Sequence, residues 1–127
     1  MSLALAATIF GILIGVVILF QLALAAGMPW GHLAMGGRYP GIFPPAMRLA
    51  ALVQIGILAL MILIVLTKAQ MIFPGWYTVS EKAIWVVVAV SAISLVLNVI
   101  TPSKWERILW APVALLMTVC SIVVALG

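Results

Sequence analysis

Four stretches of the chain, 3–26, 49–67, 83–100 and 108–126, are nearly unbroken Leu, Ile, Val and Ala. Runs of about 17 to 25 apolar residues can cross a bilayer core of roughly 30 Å as helices. Isolated strands would leave backbone groups unpaired in lipid, so helix is the state these runs predict. The polar positions gather in three breaks: a long one over 27–45, a second over 68–82 and a tight one over 101–107. The pattern predicts an all-α membrane protein, a four-transmembrane-helix bundle forming one domain over 1–127.

Composition agrees with lipid as the solvent. Hydrophobic residues are 68% of the 127 and charged residues 6%, whereas soluble domains carry roughly a quarter charged residues. The net charge of +4 comes from scattered basic residues that form no patch. It reads as membrane flanks, and no nucleic-acid partner is expected. Cys120 stands alone, so no intrachain disulfide or paired-cysteine redox motif is available, and a packing thiol is expected. Small residues at "LALAAG" resemble a signal-peptide cleavage site, but no Lys or Arg precedes this long run. The first stretch is therefore expected to be retained as a span.

Basic residues near span ends bias orientation. The first and third breaks and their edges share one face and hold Arg38, Arg48, Lys104 and Arg107; the second, on the opposite face, holds Lys68 and Lys82. Four against two puts the long break in the cytoplasm and both termini outside. Six aromatic residues, among them Trp30, Trp76 and Trp110, sit at or near span ends, where amphipathic rings suit the headgroup region.

Small residues mark possible helix seams. Ala4, Ala7, Gly11 and Gly15 line one face of the first span; Ala111, Ala114, Thr118, Ser121 and Ala125 line one face of the fourth. Such stripes let backbones approach closely in lipid. Gly11, Gly15, Ala114 and Thr118 are the packing candidates, either inside the bundle or at a homodimer face. Ser91, Ser94 and Asn98 share a face of the third span, suited to bonds between helices or back to their own helix.

Depth carries the main functional inference. Gln21 lies six residues before Gly27 and Gln54 six after Arg48. At about 1.5 Å per residue both fall roughly 9 Å below the face of the long break. Asn98 lies about 5 Å below that face on the same reckoning, with Pro112 at similar depth. All three intramembrane amides thus occupy one half of the membrane, beneath breaks carrying His32, Arg38, Arg48, Glu106 and Arg107. The other half is almost featureless. Polar groups at depth usually face the bundle interior, which predicts a one-sided vestibule, or else a set of helix-pinning amides.

The segment "GMPWGHLAMGGRYPGIFPP" (27–45) holds five of the ten glycines, four of the seven prolines and the only histidine. Glycine permits left-handed turns and proline restrains its neighbours. With Trp30, Leu33, Met35, Ile42 and Phe43 retained, the segment is expected to fold down as a lid. His32 would point into the vestibule or bond a loop carbonyl. The expected ligand-binding set is Gln21, Trp30, His32, Arg38, Arg48, Gln54, Asn98, Glu106 and Trp110. A single histidine makes no metal site and excludes bis-His haem ligation within the chain; no cofactor is expected.

The runs "GMPWGHLAMGGRYPGIFPPAMR" and "LNVITPSKWERILWAPV" resemble a group of small bacterial four-helix membrane proteins of uncharacterised function. The shared elements are Trp30, Gly36-Gly37, Arg48 and Trp110-Ala111-Pro112. The resemblance implies the four-helix fold and a bacterial inner (plasma) membrane, and no activity. Small multidrug transporters fit poorly, because the first span has no glutamate. Sterol-isomerase-like bundles need acids inside the membrane, and Glu81 and Glu106 are both expected in loops.

Three functions follow. An enzyme is the weakest: general acid–base chemistry has only His32 and Glu106 to draw on, and Glu106 is expected to pair with Arg38, Arg48 or Arg107. A binder of a small amphiphile or anionic lipid would hold the head against Arg38, Arg48 and Gln54. An accessory or assembly subunit of a larger membrane complex would instead use the small-residue faces. Membrane lipids are partners on any of these readings.

Overall fold

The computed structural model describes residues 1–127 and forms four helices: α1 (Leu3–Ala26), α2 (Pro45–Lys68), α3 (Tyr77–Ile100) and α4 (Lys104–Leu126). Each is long and apolar enough to cross a membrane, and the protein is an integral membrane four-helix bundle. Consecutive helices pack side by side, α1 against α4 closes the ring, and the diagonal between α2 and α4 is sparse.

Three helices, α2, α3 and α4, begin before their apolar runs. α2 starts with Pro45 in its first turn, where a missing N–H costs nothing. α3 follows directly on a 3₁₀ turn, Pro74–Trp76. α4 is capped by Ser103, whose Oγ accepts from Glu106 N at 3.3 Å. Glu81 and Glu106, expected in loops, therefore lie within helices, Glu81 in α3 just past its first turn and Glu106 in the first turn of α4. Hydropathy marks the lipid-embedded stretch, while the helix runs on through the polar interface.

The half of the bundle away from the long connection is solid. Phe10, Ile14, Val65, Ile84, Cys120 and Val124 are buried there in one cluster. Gly11 faces α2, and a Cβ there would sit 3.1 Å from Ile62 Cδ1; at Gly15 it would meet nothing within 4 Å. On α4, Ala114, Thr118 and Ser121 are buried. The two hydroxyls return bonds of 2.8 Å to Ala114 O and Thr118 O, so this stripe packs without leaving them unpaired.

At the outer edge of this half, Lys68, expected in the second break, ends α2 and turns inward. Lys68 is only 4% exposed, and its Nζ donates to Val124 O (3.2 Å) and Gly127 O (3.1 Å). The ammonium also lies 5.6 Å from the Tyr77 ring centroid. A cation on the carbonyl end of a helix is favoured by both dipole and hydrogen bonding, which draws this lysine inward.

Candidate functional site: a lidded cavity in one half of the bundle

The 27–45 connection folds back on itself before it folds onto the helices. Gly31 N donates to Gly41 O at 2.8 Å. A Cβ at Gly31 would overlap Tyr39 O and lie 2.7 Å from Gly41 O, so only glycine fits. Gly36 and Gly37 take φ of 69° and 73° within the turn Met35–Gly37, a left-handed geometry that suits glycine. Phe43 anchors the far end of the segment, buried with Leu24 and Ala51.

Three hydrogen bonds then fasten the lid to the start of α4. Gly36 N donates to Glu106 Oε2 (2.9 Å), Ser103 Oγ to His32 O (2.7 Å) and Trp110 Nε1 to Leu33 O (3.0 Å). Ser103 and Glu106 have the spacing of a capping box, in which the glutamate ordinarily reaches back to the cap residue's own N–H. Here Ser103 N bonds Thr101 Oγ1 at 3.3 Å, and the carboxylate is released to the lid. Glu106 is 8% exposed, and its partner is a backbone amide rather than the arginine expected from sequence. The burial explains the choice: an amide at bonding distance satisfies the carboxylate without a second charge being desolvated.

Beneath the lid lies a cavity of about 760 Å³, lined by all four helices and the lid. Ligand cavities typically span about 300–1,000 Å³. Gln21, Arg38, Gln54, Asn98, Glu106 and Trp110 converge on it. Asn98 Nδ2 is tied to Ser94 O on its own helix at 2.7 Å. Ser91, also at the cavity, is 2% exposed, and its Oγ is buried with no hydrogen-bond partner. Serine in a helix usually bonds a carbonyl one turn back, so an orphan at this depth is conspicuous. Met35, Met47, Met61 and Met117 supply much of the apolar wall, and their flexible thioethers adapt to irregular shapes.

Three residues of the expected set lie elsewhere. Arg48 Nε donates to Ala25 O at 2.8 Å, so its guanidinium caps α1 and does not line the cavity. Trp30 is exposed and stacks on Phe20, with centroids 6.5 Å apart and planes 2° from parallel. His32 does not point inward. Its side chain is exposed and borders a separate, shallow hollow with Trp105, Ile108 and Pro112; only its carbonyl serves the lid. The reversal follows from the lid bonds: donors on α4 claim the carbonyls of His32 and Leu33, which turns the imidazole outward.

Sequence reasoning missed Ser103 as a lid anchor, Ser91 as a cavity residue without a partner and the methionine wall. The Ser103–Glu106 spacing was a visible signal for the first. Nothing in the composition marked which methionines share a wall.

No family model, no curated protein and no solved structure matches the chain; what stands of the expected resemblance is the four-helix membrane architecture itself.

Proposed function

We propose that the protein binds a small amphiphile in the lidded cavity, its polar or anionic head among Gln21, Gln54 and Arg38. The observation that carries this reading is the polar lining of an open space within an apolar bundle, supplied by Gln21, Gln54 and Arg38. Polar groups left unpaired in an apolar surrounding cost on the order of 1–3 kcal/mol each, and a ligand head offers the missing partners. Helix-pinning amides would be expected to bond across helices, whereas the only amide bond formed runs from Asn98 to its own helix. The four-to-two bias of basic residues favours the lid in the cytoplasm.

Native mass spectrometry of the gently solubilised protein tests the proposal. One amphiphile should be retained reproducibly, and lost by at least tenfold in Gln54→Leu with the fold intact. A bare protein, or retention unaffected by Gln54→Leu, would sink the proposal. A co-purifying protein subunit in place of the amphiphile would favour an accessory role.

A further inference from the structure

The position of the cavity's mouth says how such a ligand would arrive. Every cavity residue contributed by α1 and α4, from Val17 to Met117, is buried or half-buried. That side is also closed by aromatics: Phe20 packs between Trp30 of the lid and Trp110 of α4, with Phe20 and Trp110 centroids 4.8 Å apart. From above, the lid is held by its three bonds to Ser103, Glu106 and Trp110. The helical cavity residues that are exposed are Ala50 on α2 and Leu97 and Ile100 on α3, with Pro102 just beyond α3. The seam between α2 and α3 is also the loosest of the four in the ring.

The rim and the interior differ in chemistry. The exposed Ala50, Leu97 and Ile100 are apolar, whereas Gln21, Gln54, Ser91 and Ser94 are polar and buried or half-buried. Met35 and Arg38 form the exposed lid edge of the opening. An apolar rim leading to a polar interior inverts the order a water-borne solute would meet. It matches a molecule already dissolved in the leaflet, with its head turned in and its tail left outside.

We infer that the gap between α2 and α3 is a lateral portal, through which a single-chain lipid seats an oxygen-rich head in the cavity while its chain stays in the leaflet. The inference rests on the cavity-binding proposal above. The head class follows from the lining: amides and hydroxyls both donate and accept, and Arg38 at the rim offers a cation to a phosphate. Ala50 is the smallest rim side chain and controls the width of the opening.

The test uses the full chain in phosphatidylcholine nanodiscs with lysophosphatidylglycerol carrying a mid-chain diazirine. Photolabelling should be saturable, map to the α2–α3 rim around Ala50, Leu97 and Ile100, and fall at least tenfold in Ala50→Trp. Glycerophosphoglycerol, which has the same head and no chain, should not compete. Saturable labelling on the lid or on α1, undiminished in Ala50→Trp, would overturn the portal and leave the cavity proposal standing. Effective competition by glycerophosphoglycerol would likewise overturn entry from the leaflet. No saturable labelling, together with no amphiphile retained in native mass spectrometry, would overturn both. Circular dichroism of Ala50→Trp checks that the helices persist, and Leu97→Trp, which narrows the rim from α3, should reproduce the loss.

Discussion

The two halves of the bundle are built from the same four helices and solve opposite problems. Away from the lid, Phe10, Ile14, Val65, Ile84 and Val124 fill the interior, and its cation is spent on closing a helix end. Under the lid the interior is hollow, its amides face space, and three hydrogen bonds hold a cover over it. Stability needs only the first arrangement. Because apolar packing and satisfied backbones suffice to hold helices together in lipid, the hollow half is where the sequence departs from what folding alone requires.

That contrast can be broken from either end. The largest effect is expected from Phe10→Ala, which opens a void in the solid half and should cost about 3–5 kcal/mol. The variant should unfold at markedly lower denaturant while any retained amphiphile still shows at equal stoichiometry in the folded fraction. Gly31→Ala should cost less, about 1–3 kcal/mol by overpacking, because the clash with Tyr39 O is confined to the lid. Its thermal midpoint should fall modestly, while proteolysis within 27–45 accelerates severalfold. The smallest effect belongs to Ser103→Ala, about 1 kcal/mol for a lost helix cap. Because Ser103 Oγ both accepts from α4 and donates to His32 O, the variant should loosen the lid by the same proteolytic measure without shifting ligand stoichiometry. If Phe10→Ala and Gly31→Ala proved equally destabilising, the division into a structural half and a hollow half would fail.

The sequence made the spans legible because lipid punishes every polar position, and the apolar runs are long. It also placed Gln21, Gln54 and Asn98 in one half of the membrane, since helical rise converts residue number directly into distance. Rotation about the helix axis was harder to read, because nearly all faces are apolar. That is why Gly15, half of a GxxxG, could not be told from Gly11, although one faces open space and the other Ile62. The lid was the least legible part. Its folding down followed from its apolar residues, but which groups faced inward depended on the choice of hydrogen-bond partners. Arg48 went to Ala25 O, Glu106 to Gly36 N, and His32 contributed a carbonyl where an imidazole had been expected.

The diverted capping box has a consequence for how the molecule opens. A residue that completes the first turn of α4 also closes the cover, so the Ser103–Glu106 turn and the Gly36 amide belong to one cooperative unit. Local openings in proteins occur in such units and not bond by bond. Amide hydrogen exchange at Gly36 and at Glu106 would then share a single protection factor, set by fraying of a helix end rather than by the swing of a loop. On that account the Gly36 end of the cover is released when α4 unwinds its first turn and restored when the turn rewinds, while the Trp110–Leu33 bond, one turn further on, keeps the rest of the segment in place.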